Sequence, residues 1–260
     1  MFLLISIASN AQTNLDGLFA TTDVSVVQKE ALKAEIESFV QPLLSSGLSE
    51  QKLLRKTFAR LHSSYLKKYE AYADFNEAFS SGKYDCLTAT ALFSHVLGKL
   101  NFSYEIIETN YHIFLMVQTS DGQVLLETTD RWDGFVTDKE AIAKRIGGYR
   151  NNRISVTSDN SKKQFVEYSF NLYQQISSEK LTGLLYFNQA VKAFNRQDLA
   201  ASARLLEKAN ALYESPRCGE LGLVLIRTVL ESSMDEKAKG SCLTHLKNFW
   251  LKKSETVAVF

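Results

Sequence analysis

The sequence predicts a mixed α+β fold: helices packed on a small antiparallel sheet, followed by an all-α segment. Three observations predict it. β-like runs cluster at 102–108, 112–119 and 124–129, and Asp121-Gly122 between the last two is a hairpin turn signal. Apolar residues recur at helical spacing before that region. From about Ser178 onward the texture is helical throughout.

A chain of 260 residues is long enough for a substantial core. With 45% apolar and 23% charged residues it reads as an ordinary globular protein, and 12 glycines with two prolines leave no low-complexity linker. A formal charge of +1 gives no reason to expect nucleic acid or an acidic surface as partner.

The N-terminus is the first element. Phe2 to Ala8 is apolar, and Ser9-Asn10-Ala11 ends on a small residue, so 1–11 reads as the remnant of a secretory signal that lacks its positive start. The run is too short to span a bilayer. The expectation is export, to a periplasm or beyond, with a cytoplasmic protein as the alternative.

Val24, Val27, Leu32, Ile36 and Val40 mark a helix over 24–45, with Pro42 near its end. After the break at Ser45-Ser46-Gly47, Ser49 caps a second helix whose stripe is Leu53, Leu54, Phe58, Leu61 and Tyr65. Phe75 and Phe79 point to a short helix closed by Ser80-Ser81-Gly82. A helix over 86–98 buries Leu92, Phe93, Val96 and Leu97. Beyond the sheet, 131–160 reads as surface loops with one helix near 138–146. These elements form a domain over 20–175.

The remainder, 178–252, forms the second domain. The stretch from Arg196 to Ala209 resembles the second helix of a tetratricopeptide repeat, with Ala190, Ser202 and Ala209 at the small positions where paired helices approach and Pro216 closing the unit. Helices near 217–232 and 236–250 make a degenerate second pair. A single repeat is too little for an independent array, so these helices are expected to pack on the first domain.

Three cysteines are too few for a disulfide framework. Cys218 and Cys242 on an antiparallel helix pair would be offset along the axis by about 9 Å, beyond disulfide reach, so both read as buried thiols. Cys86 differs, because it opens a helix. There the positive end of the helix dipole favours a thiolate.

A histidine and an acid follow on the β-like runs. On 112–119 the even-numbered side chains, His112, Phe114 and Met116, share one face. A two- or four-residue hairpin loop sets Gln118 opposite Gln123, which places Glu127 on the His112 face. A three-residue loop with a bulge would favour Asp130 instead. The catalytic reading makes Cys86 the nucleophile, His112 the general base and acid, and Glu127 (Asp130 as the alternative) the acid that orients the imidazole. Taken singly, each has an ordinary role: a small buried residue at Cys86, a polar face residue at His112, an exposed charge at Glu127. The combination is what points to a site. No CxxC or HxxxH spacing exists, so neither a metal nor another cofactor is implied. His95 points away from Cys86 on the same helix, and His62 and His245 read as surface or packing residues.

Gly82 to Leu97, His112-Ile113-Phe114 and Val124 to Thr129 together resemble the transglutaminase-like cysteine protease superfamily, over roughly residues 50–135. The resemblance implies a papain-like arrangement, with a catalytic cysteine on a helix and histidine and acid on an antiparallel sheet; these carry over to Cys86, His112 and Glu127. The family acid is usually aspartate followed by proline, whereas here it is Glu127 followed by Thr128. Some relatives with repeat-like tails have lost the triad. Two functions are therefore expected in competition: thiol-dependent acyl transfer on protein or peptide amides, or a non-catalytic protein-binding module. In both, the C-terminal helices offer a face to a protein partner, and neither calls for nucleic acid or a membrane span.

Overall fold

The computed structural model describes residues 13–151 and 172–257. The expected signal segment, 1–11, lies outside the described residues, as does much of the 131–160 region beyond Asn151. In chain order the elements are α1 (Leu15–Phe19), α2 (Val26–Leu44), α3 (Glu50–Ser64), β1 (Lys68–Tyr69), α4 (Glu77–Ser80), β2 (Lys83–Tyr84), α5 (Cys86–Lys99), β3 (Ser103–Thr109), β4 (Ile113–Thr119) and β5 (Gly122–Leu126). They continue with β6 (Phe135–Val136), α6 (Lys139–Asn151), β7 (Tyr173–Ile176), α7 (Lys180–Asn195), α8 (Leu199–Leu212), α9 (Pro216–Glu231) and α10 (Glu236–Val257). The mixed α+β class holds.

The five-stranded antiparallel sheet runs β6-β5-β4-β3-β7. Its centre is the β4–β5 hairpin, which pairs Gln118 with Gln123 and Thr119 with Gly122, the register that a two-residue loop requires. Gly122 has φ +125, a conformation in which a side chain would be strained.

Both faces of the sheet are covered, so β4 is buried along nearly its whole length. Ile113, Leu115 and Val117 join the main core beneath α5, while Phe114 and Met116 join a second cluster with Leu125, Val136 and Ile142 of α6. Helix α5 is the hub of the main core. Every residue from Leu87 to Leu97 is buried, the pattern of a helix surrounded on all sides. Its start is set by a capping box: Asp85 Oδ1 accepts from the Thr88 N–H at 2.8 Å, and Thr88 Oγ1 accepts from the Asp85 N–H at 2.8 Å.

The C-terminal helices dock as expected at their small positions. Ala190, Ser202 and Ala209 are fully buried, and Ser202 Oγ donates to the Ala190 carbonyl at 2.8 Å across the α7–α8 contact. Leu181, Leu184 and Leu185 of α7 belong to the main core, whereas Cys218 and Cys242 sit in the helical core as separate buried thiols.

Four short strands (β1, β2, β6 and β7) have no counterpart in the sequence reading, and α6 runs through Gly147-Gly148, which sequence alone placed in loops. Two-residue strands carry no periodicity, and β7 exists only because β3 presents a paired edge, Ile106 to Ile176.

His62 is a packing residue of unusual cost. It has no exposed surface and neither ring nitrogen has a hydrogen-bond partner among the described residues; its ring lies 4.6 Å from Phe58 and 5.9 Å from Phe93 between centroids. Burial pulls its pKa down to about 4, with the Arg131 charge adding to the shift and Asp130 opposing it. A depressed folded-state pKa gives stability that is complete above the unfolded value near 6.5 and is lost as pH falls towards 4. His62→Phe, which keeps the aromatic packing, is expected to flatten the stability–pH curve between those values. Urea unfolding at pH 7 and pH 4.5 measures it; a wild-type loss no greater than the variant's would contradict the burial argument.

Candidate active site

Thr109 to Ile113 is the turn that carries His112 from β3 into β4. The Thr109 N–H donates to the His112 carbonyl at 2.8 Å, Thr109 Oγ1 donates to the same carbonyl at 3.1 Å, and the His112 N–H donates back to Thr109 Oγ1 at 3.1 Å. The imidazole is thereby fixed one residue before β4 begins, rather than on the strand itself.

Glu127 directly follows β5, on the even face of β4 that hairpin parity assigns it. Its Oε2 lies 2.5 Å from His112 Nε2. The same oxygen accepts from Tyr149 Oη at 2.7 Å, and Oε1 accepts from Thr129 Oγ1 at 2.7 Å and from the Thr129 N–H at 3.2 Å. Burial of this residue (5% exposed) pushes its carboxyl up, but hydrogen bonds and charge from His112, with the Thr129 and Tyr149 donors, outweigh burial and hold it at about 2. Tyr149 also covers the imidazole, its ring 5.5 Å from His112 and 4.8 Å from Phe114 between centroids. Thr109, Asn110, Tyr111, His112, Glu127, Thr129 and Tyr149 line a cleft of about 280 Å³ beside the pair.

Asp130 is not brought to the imidazole. Its Oδ1 caps the following turn, accepting from the Trp132 and Asp133 N–H groups at 3.1 and 2.9 Å, and its Oδ2 faces Arg145 at 3.8 Å.

Cys86 opens α5 and packs against the main core, to which Ile113 and Leu115 of β4 also belong. His112 belongs to the even face, stacked with Phe114 at an interplanar angle of 18°. No hydrogen bond joins the thiol and the imidazole among the described residues; the His112 ring instead meets Glu127. Burial pushes the thiol up to about 12, with the Asp85 and Glu127 charges adding and Arg217 and the Ile113 N–H opposing. The helix-dipole argument is outweighed: Asp85, itself buried with its carboxyl pushed up by burial, caps the same helix end and brings a carboxyl beside the sulfur.

No family model, no curated protein and no solved structure matches the chain.

Of the remaining histidines, His95 is turned to the Thr13 carbonyl at 3.0 Å and His245 pairs with Glu207 at 2.6 Å. No group of three or more metal-ligating side chains occurs among the described residues, and no helix among them is long and apolar enough to cross a membrane.

Sequence reasoning missed Tyr149, Thr129 and Thr109. Tyr149 had a usable signal: Ile142, Ile146 and Tyr149 keep helical spacing towards the sheet once the helix is allowed to continue through the two glycines. Thr129 carried only its position two residues after Glu127. Thr109 carried no signal at all.

Proposed function

We propose that the chain catalyses thiol-dependent acyl transfer on amide bonds of proteins or peptides, as a papain/transglutaminase-like domain with a tetratricopeptide-like helical tail. The observation that carries this reading is the buried Glu127 carboxylate held 2.5 Å from His112 Nε2. A carboxylate in that position fixes the imidazole's orientation and tautomer, leaving Nδ1 to exchange a proton with the thiol. Cys86 loses its proton to His112 and its sulfur bonds to the carbonyl carbon. The C–N bond then breaks as the amine takes the proton back from His112, leaving a thioester. Water resolves the thioester to an acid, and an amine resolves it to a new amide. The Cys86 N–H at the first turn of α5 is a donor for the developing oxyanion.

The second reading, a protein-binding module without catalysis, draws on the raised thiol pKa and on the lack of a hydrogen bond between Cys86 and His112 among the described residues. Site-resolved mass spectrometry of Cys86 alkylation against pH separates the two. Labelling at pH 6 that falls about 100-fold or more in His112→Ala supports the enzyme. Labelling that tracks an ordinary thiol, or none, leaves the binding module.

A further inference from the structure

We propose that Arg217, carried by the C-terminal helices, is a positioning residue for His112, acting through the main chain of Thr109; this rests on the reading of His112 as the base of the site. Arg217 stands in the first turn of α9, directly after Pro216. Its Nη2 donates to the Thr109 carbonyl. Thr109 is the residue that clamps the His112 turn through three hydrogen bonds, so the guanidinium holds the far side of that clamp.

Arg217 is itself aimed. Its Nε lies 3.5 Å from Oε1 of Glu108, a fully buried carboxylate on the preceding residue of β3. Glu108 Oε2 in turn accepts from Gln174 Nε2 of β7 at 3.2 Å and from Tyr213 Oη, at the end of α8. The Arg217–Glu108 contact is an ion pair without a hydrogen bond on Nε, so the orientation of the fork is set at Thr109. A second contact from the same helices grips the other half of the site. Asn188 Nδ2 of α7 donates to Asp85 Oδ2 at 2.9 Å, and Asp85 caps the helix that Cys86 opens. The tail thus holds both the cysteine's helix cap and the histidine's turn.

The rival explanation is that Arg217 merely neutralises buried Glu108. Cys86 alkylation by iodoacetamide against pH, on the full chain, separates the two. Arg217→Gln and the double variant Glu108→Gln/Arg217→Gln are both expected to lose on the order of 10- to 100-fold of the His112-dependent rate near pH 6, their profiles moving towards that of His112→Ala. The double variant, which leaves no buried charge unpaired, is expected to melt near the wild type. Thr109→Val keeps the Arg217 charge, which favours the Cys86 thiolate directly, yet deletes the side-chain clamp; it is expected to show the same loss and carries the test if Arg217→Gln does not fold. A wild-type profile in the double variant, or in Thr109→Val, overturns the positioning role alone. A wild-type thiol indifferent to His112→Ala overturns this role and the enzymatic reading together.

Discussion

Replacing Gly134 by alanine is expected to destabilise the protein by roughly 2–4 kcal/mol and to disorganise the His112–Glu127 pair. An added methyl carbon would lie 2.2 Å from the Asp130 carbonyl oxygen and 2.3 Å from that of Glu127, far inside contact distance. Neither oxygen can retreat cheaply. The Glu127 N–H donates to the Gly134 carbonyl at 2.8 Å, the Gly134 N–H to the Asp130 carbonyl at 2.9 Å, and the Asp130 N–H to the Glu127 carbonyl at 3.2 Å. The loop is therefore closed on itself around a position that has no room for a side chain, and the residue displaced is Glu127, the partner of His112. Gly147→Ala and Gly148→Ala are the controls: both lie inside α6 with open space at the Cβ position, and each is expected to stabilise by about 0.5–1 kcal/mol through helix propensity. Urea unfolding of the three variants reads the sign directly. A neutral Gly134→Ala would mean the 127–134 loop is not closed as described.

Glu127→Gln is expected to lower the His112-dependent alkylation of Cys86 by on the order of 100-fold and to cost roughly 1–3 kcal/mol of stability. The carboxylate serves donors only: the Tyr149 and Thr129 hydroxyls, the Thr129 N–H and the His112 ring. A carboxamide offers one oxygen in place of two, and its amino group must face a former donor. The sign of the pH dependence follows from a folded-state pKa of about 2 against an ordinary 4.5. The carboxylate's contribution is complete above about pH 4.5 and is lost as pH falls through about 2, so wild type and variant should converge in stability in acid. Asp130→Asn is expected to leave the alkylation profile nearly unchanged, because Asp130 caps its own turn and faces Arg145 rather than His112. If Asp130→Asn proves the more harmful change, the assignment of the acid is wrong.

That Glu127 rather than Asp130 comes to His112 was legible in the sequence, since strand parity with an even-numbered hairpin loop puts Glu127 on the His112 face. The helices α2, α3 and α5 were legible for a similar reason, being announced by apolar spacing within a few residues, although Ser49, read as the cap of α3, makes no side-chain cap bond. Others were not. The turn of α6 that carries Tyr149 was lost at Gly147-Gly148, where two poor helix formers are held in helix by Ile142 and Ile146 packing on the sheet. The contacts of Arg217 with Thr109 and of Asn188 with Asp85 span 108 and 103 residues, and nothing local marks either partner.

Cys86 shows where the division falls. That it opens a helix, next to a capping aspartate, is a matter of neighbouring residues, and the chain's own local order determined it, together with the α+β class and the hairpin register. Which face of β4 that helix lies on, how deeply the sulfur is withdrawn from water, and which charges stand near it were decided only by tertiary packing. Caps, periods and turns act between residues a few positions apart, whereas desolvation and charge are summed over whatever the fold brings within several ångströms.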